Sequence, residues 1–161
     1  MSDTLKQIKS DIKDAMRARD KVRLECLRGL VSEVKNAGIE KKGRGETSAE
    51  VDCPSEHISE DEVVKILQGV YKRRKEAAQM FVDGNRQDLA DQDLAEVEVI
   101  DAYLPEAMDA AALEGLLREV ISEVGAESIK EMGAVMKAAG PRIAGRADGR
   151  TVSEVVRQLL S

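Results

Sequence analysis

Apolar residues recur at three- and four-residue steps along most of this chain, the period of helices that bury one face. Leu5, Ile8, Ile12, Ala15 and Met16 mark the first such face. That helix is expected to begin near Ser2 to Thr4, where Thr4 and Gln7 have the spacing of a capping box. A break at Arg19-Asp20 turns the chain, and Asp20 is placed to cap a second helix carrying Val22, Cys26, Leu27, Leu30, Val31 and Val34. From Gly43 to His57 the periodicity collapses into GRGETSAEVDCPSEH, which reads as a mobile surface loop over 43–58. Ser59 and Glu62 restore the capping-box spacing ahead of Val63, Ile66, Leu67, Val70, Tyr71, Ala77, Ala78 and Phe81, the longest expected helix. Gly84-Asn85 stops it. The next helix is expected from about Arg86 to Tyr103, with Leu89, Leu94, Val97, Ile100 and Leu104 inward and Asp88, Asp91, Asp93, Glu96, Glu98 and Asp101 outward.

Leu104-Pro105-Glu106 marks a boundary, because the residue before proline is pushed out of helical conformation. Asp109 then caps a helix with Leu113, Leu116, Leu117, Val120, Ile121 and Val124, which Gly125 ends. Ser128 and Glu131 repeat the capping box before Ile129, Met132, Val135 and Met136. After a loop from Gly140 to Gly149, a last helix from about Asp148 presents Val152, Val155, Val156, Leu159 and Leu160. The pattern predicts an all-α protein: an N-terminal antiparallel helical subdomain over 1–104, with its mobile loop at 43–58, followed by a small three-helix C-terminal subdomain over 105–161.

Composition narrows the function classes. The chain has one Phe, two Tyr and no Trp, so it lacks the aromatic platforms on which single-stranded bases stack. No run of about 20 apolar residues offers a membrane span. Met1 to Ile12 alternates charged with apolar residues and lacks the apolar core of a secretory signal, so a cytoplasmic location is expected. Cys26 and Cys53 are too few for a disulfide framework, and Cys26 lies in an apolar stripe where a thiol is inert. Cys53 and His57 have no matching second pair to complete the three or four ligands that zinc prefers. The acids of the 86–103 helix point several ways around its axis and match no metal-binding spacing, so neither metal nor cofactor is expected.

Charge draws attention to the tail. Between Ser128 and Ser161 stand six basic residues (Lys130, Lys137, Arg142, Arg146, Arg150, Arg157) and three acids (Glu131, Asp148, Glu154), a local +3 in a chain of net charge -6. Such asymmetry suggests an anionic partner such as RNA, with Lys130, Lys137, Arg142, Arg146 and Arg150 as contacts to phosphate and sugar. In Gly145-Arg146-Ala147-Asp148-Gly149 the glycines permit a tight turn. Two readings stay open there: Asp148 caps the last helix, accepting backbone N–H groups near Thr151, and the arginines are solvated, or the arginines contact a ligand directly. Lys72, Arg73, Arg74 and Lys75 form a second basic cluster, either another phosphate contact or a solvated helical face with Glu76 and Asp83 as local partners.

Particular segments resemble a known family. Lys130-Glu131-Met132-Gly133-Ala134-Val135-Met136-Lys137, the Gly145 to Gly149 turn, Val152 and Val155-Val156 resemble the tail domain shared by YqeY-like proteins and the GatB subunit of glutamine-dependent tRNA amidotransferases. Tyr71 to Ala77, Gly84 to Ala90 and Tyr103-Leu104-Pro105 are similar to the N-terminal part of YqeY-like proteins. The resemblance covers nearly the whole chain as YqeY-like and roughly its last third as GatB-like. It implies an all-helical protein with two subdomains and a tail related to one that contacts tRNA in GatB. Amidotransferase chemistry does not come with it, because in GatB-type enzymes the ATP-dependent work belongs to a separate, larger domain. A label of carbon–nitrogen ligase with glutamine as amido-N-donor would be inherited through the shared tail.

No catalytic constellation emerges from the sequence: there is no phosphate-binding glycine loop, no nucleophile elbow, and one histidine. The expectation is a non-catalytic tRNA- or RNP-associated binding module. Its alternatives are a protein–protein adaptor, or an accessory to glutamine-dependent tRNA amidation with partners in the translation or tRNA-amidation machinery.

Overall fold

The computed structural model describes residues 1–47 and 53–161 and, among them, is all-α, with seven α-helices and no strand. Two compact units, Met1–Leu104 and Pro105–Ser161, each enclose their own core.

In the first unit α1 spans Asp3–Ala18, α2 Lys21–Gly43, α3 Glu60–Asp83 and α4 Gln87–Asp101. Ser2, not Thr4, is the N-cap of α1: its hydroxyl accepts from the Leu5 N–H at 3.1 Å. Thr4 turns outward instead and donates, through backbone N–H and hydroxyl, to the Glu60 carboxylate at the start of α3. Burial pushes the Glu60 carboxyl up, but hydrogen bonds from Thr4, Ser2 and Asp3 outweigh it and leave the group below its usual range. Asp20 caps α2 by accepting from Arg23 N–H at 3.1 Å. At α3 both halves of the capping box form, with Ser59 N–H donating to Glu62 at 2.8 Å and Glu62 N–H to Ser59 Oγ at 3.3 Å. The left-handed turn into α4 is made by Asn85 (φ 57°), after Gly84 has ended α3.

The expected mobile loop at 43–58 needs correction at both ends, while 48–52 lie outside the described residues. α2 continues through Gly43, and Pro54–His57 forms a 3₁₀ turn that packs on α2, burying Ser55 and Ile58. Gly38 explains the fit. A Cβ placed there would lie 1.9 Å from the Pro54 carbonyl oxygen, so only glycine lets the turn approach. Lys41 fastens it, its ammonium donating to the His57 carbonyl at 3.1 Å and to the Glu62 carboxylate at 2.7 and 2.9 Å.

The core of this unit is aliphatic: Leu5, Ile8, Leu27, Leu30, Leu67 and Ile100 are essentially inaccessible. Cys26 belongs to it, its thiol pushed up to about 11 by burial and the nearby Glu96, which suits an inert core residue. Three residues read as inward face solvent, Met16, Val22 and Leu94. On α4 the exchange has a cause. Asp93, expected outside with the other acids, is buried, and Arg74 of α3 reaches it at 3.0 Å and Glu96 at 2.9 Å. Beyond α4, the Tyr103 hydroxyl donates to Asp11 of α1, with Arg23 of α2 3.4 Å from the same carboxylate. Burial and the bond to Asp11 push that phenol up to about 12.

In the second unit α5 spans Ala110–Val124, α6 Met132–Ile143 and α7 Gly149–Leu159, with a 3₁₀ turn at Ile129–Glu131 before α6. Asp109 caps α5 by accepting from Ala112 N–H at 2.7 Å, and Gly125 (φ 71°) ends it in the left-handed region. The loop expected from Gly140 starts later. α6 runs through Pro141 into Ile143, because Ala139 and Ile143 are buried and hold that turn helical around the proline. Ala144 (φ 47°) and Gly145 (φ 76°) then reverse the chain. Leu113, Leu117, Val120, Val135, Ala139, Ile143, Val152 and Val156 form the core, with Met132 and Met136 packed against it.

Four substitutions are followed by urea unfolding. Gly38→Ala lowers stability by about 2 kcal/mol through overpacking against Pro54, whereas Gly29→Ala, with open space around its helical position, raises it by about 0.5–1 kcal/mol. Arg74→Ala costs about 2 kcal/mol, because the buried Asp93 carboxylate loses its partner, reduced from the full buried-pair cost by the exposure of the arginine. The Lys41 and Ser59 hydrogen bonds hold the Glu62 carboxyl at about 2 instead of 4.5. A depressed carboxylate contributes stability above the unfolded value and loses it as pH falls through the folded one. Glu62→Gln therefore lowers stability at pH 7 by about 1 kcal/mol after solvent screening, and flattens the decline of the unfolding midpoint between pH 4.5 and about 2.

Candidate nucleic-acid interface

The five tail cations fall into two groups. Arg142, in the last turn of α6, is committed within the unit: its guanidinium lies 2.7 Å from Glu119 and 3.3 Å from Glu123, both on α5. Arg146 is committed to backbone, donating to the carbonyls of Ile143 at 3.2 Å and Arg142 at 2.9 Å, which satisfies the C-terminal end of α6. Lys130, in the 3₁₀ turn, and Lys137, in mid-α6, are exposed and form no ion pair with any described residue. Arg150, in the first turn of α7, pairs with Glu154 at 3.2 Å, yet 81 % of its side chain is accessible, and a surface pair of this kind releases its arginine at little cost.

The structure does not gather the five into one stripe. Lys137 and Arg142 are five positions apart on α6, about 140° around the helix axis. Nor is the tail unit basic as a body. Over 105–161 the seven basic residues face nine acids, Glu106, Asp109, Glu114, Glu119, Glu123, Glu127, Glu131, Asp148 and Glu154, a net -2. The local +3 counted from Ser128 omits α5, whose glutamates fold back onto Arg142. Sequence spacing held no signal for that pairing, because the partners are 19 and 23 residues apart.

Asp148 occupies the N-cap position of α7 with extended backbone (φ -68°, ψ 137°), but its carboxylate makes no capping bond to the helix. The expected bonds near Thr151 are therefore absent. The turn is carried instead by the left-handed Gly145 and by Met108 N–H donating to the Arg146 carbonyl at 2.8 Å. Gly149 opens α7 and has open space around it.

The second basic cluster is dispersed in the same way. Arg74 is the half-buried strut to Asp93 and Glu96, Arg73 lies 3.3 Å from Glu33 of α2, and Lys75 sits over the Tyr71 ring at 5.5 Å. The expected partners Glu76 and Asp83 hold none of them, because α2 and α4 bring nearer carboxylates. Lys72 is exposed without an ion pair among the described residues. Cys53 opens the 3₁₀ turn with its sulfur 3.2 Å from Ser55 Oγ, a hydrogen bond that draws the thiol below its usual value. Among the described residues no three His, Cys, Asp or Glu side chains come together as a metal site requires. None of the described helices is long and apolar enough to cross a membrane.

A family model described as Yqey-like protein matches residues 5–160. Among curated proteins, "Altered inheritance of mitochondria protein 41, mitochondrial" of Lachancea thermotolerans is 30% identical over 102 residues, covering 63% of this chain and 48% of that protein. Proteins of the same name from Eremothecium gossypii and Meyerozyma guilliermondii are 29% identical over 115 residues (71% and 56% of the two lengths) and 26% identical over 123 (75% and 58%). The chain thus spans about half the length of the curated relatives it matches. Their names place those relatives in mitochondria, which overturns the expectation of a cytoplasmic location. The physical basis of that expectation was too narrow: lacking an apolar core argues against a secretory signal, whereas mitochondrial addresses are amphipathic and arginine-rich. With a match running from residue 5 to residue 160, the chain belongs to the Yqey-like protein family.

Proposed function

We propose that this chain is a non-catalytic tRNA- or RNP-associated binding module whose tail unit contacts RNA through Lys130, Lys137 and Arg150. The observation that carries the reading is the exposure of Lys130 and Lys137 without ion pairs among the described residues, at either end of the KEMGAVMK segment that resembles the GatB tail. Arg142 and Arg146 serve the fold and leave the contact set. With a net -2 on the unit, affinity rests on a few local phosphate contacts and reads RNA shape, since no aromatic side chain lies between 105 and 161 to stack a base.

A protein–protein adaptor is the second reading. It is favoured by that acidic balance and by an open cleft of about 310 Å³ between the end of α5 and Leu159, with Arg118, Ile121 and Glu127 on its walls.

Titration of labelled bulk tRNA at several salt concentrations separates the two. Replacing Lys130, Lys137 and Arg150 together by alanine reduces the magnitude of the log-salt slope by about 2 to 3, at roughly 0.7 to 0.9 per lost phosphate contact. Arg142→Ala leaves the slope unchanged. No binding by the intact protein at low salt would remove the RNA reading and leave the adaptor.

A further inference from the structure

The first unit is electrically divided along its helices. α4 carries six acids, Asp88, Asp91, Asp93, Glu96, Glu98 and Asp101, and no Lys or Arg. α2 carries six basic residues and three acids. Two of the six are used internally, Arg23 on Asp11 and Lys41 on Glu62. Of the remaining four, Arg28, Lys35 and Lys42 stand at intervals of seven residues, all exposed and none in an ion pair with a described residue.

Seven residues are nearly two full turns, so the three charges lie along one line, drifting about 20° per step, with about 10.5 Å between neighbours and about 21 Å end to end. Elsewhere this chain pairs its arginines with carboxylates across helices, as at Arg73, Arg74 and Arg142. The α2 row is left open. The nearby acid Glu33 is drawn off by Arg73.

We infer that the outer face of α2 is an RNA-docking surface, in which Arg28, Lys35 and Lys42 follow the phosphates of an RNA backbone. Charge complementarity selects the partner: a straight row of unpaired cations on a rigid helix matches a ladder of like anionic groups. A lipid surface would need an apolar face to insert, and α2 turns its apolar face into the core, leaving Ile39 as the one large aliphatic exposed between Lys35 and Lys42. The inference rests on the reading that the chain binds RNA, but places a contact surface in the first unit, independent of the tail residues.

The test uses the full chain, labelled bulk tRNA and two variants, one with Arg28, Lys35 and Lys42 each replaced by Gln and one with Lys130, Lys137 and Arg150 each replaced by Ala. Because the α2 positions are exposed, the first variant keeps the helical circular dichroism and urea midpoint of the wild type. Its expected result is about a tenfold or greater loss of affinity near 50 mM salt and a slope smaller by about 2 to 3. Charge reversal to Glu at the same three positions deepens the loss. If the wild type binds and the α2 variant binds equally well with an unchanged slope, the α2 surface is wrong while the tail reading stands. Loss of binding in the α2 variant with none in the tail variant upholds the α2 surface and removes the tail. No wild-type binding overturns both. Tight binding of phosphatidylserine vesicles that the α2 variant abolishes, without RNA binding, would overturn the RNA assignment in favour of a membrane. Salt-sensitive self-association abolished by the same variant, without RNA binding, would overturn it in favour of a second copy docking through the acidic α4.

Discussion

Burial of aliphatic side chains between helices carries this fold, and it happens twice. Leu27, Leu30, Leu67 and Ile100 close one core, and Leu117, Val120, Val135 and Val156 another. With three aromatic residues in 161, of which Tyr71 and Tyr103 pack against the edge of the first core, stability depends on many moderate aliphatic contacts and on keeping each helix in register. That makes helix ends matter. Ser2, Asp20, Ser59 and Asp109 each satisfy a first-turn backbone donor that has no partner within its own helix.

The same constraint governs the charged residues. Where a helix passes close to another, its arginines are drawn into pairs: Arg74 with Asp93 and Glu96, Arg142 with Glu119 and Glu123. Charges that look like a binding surface in one dimension become ties between helices in three. Among the described residues, no carboxylate pairs with Arg28, Lys35 and Lys42 on the outer face of α2 or with Lys130 and Lys137.

Much of the local architecture was determined by the sequence alone, because a helix and its cap are set by residues three or four apart. The apolar periodicity, the Asp20 and Asp109 caps, the Ser59–Glu62 capping box and the Gly125 stop all act within that range. The family was legible for a related reason: motifs such as KEMGAVMK and GRADG are contiguous.

Tertiary structure decided what depends on a distant partner. Asp93 and Leu94 compete for the inward direction on α4, and Arg74, 19 residues earlier in the chain, settles it for the acid. A helical glycine at position 38 is unfavourable by its own propensity and is understood only when the Pro54 carbonyl is placed against it. Thr4 has the spacing of a cap, but Glu60 of another helix takes it and Ser2 caps in its place. The charge of the tail has the same origin: a window from Ser128 counts the cations and stops short of α5, whose Glu119 and Glu123 pair with Arg142 through space. Short-range hydrogen bonds and periodicity are written along the chain, whereas the pairing of charges and the closest backbone approaches are properties of how the helices meet.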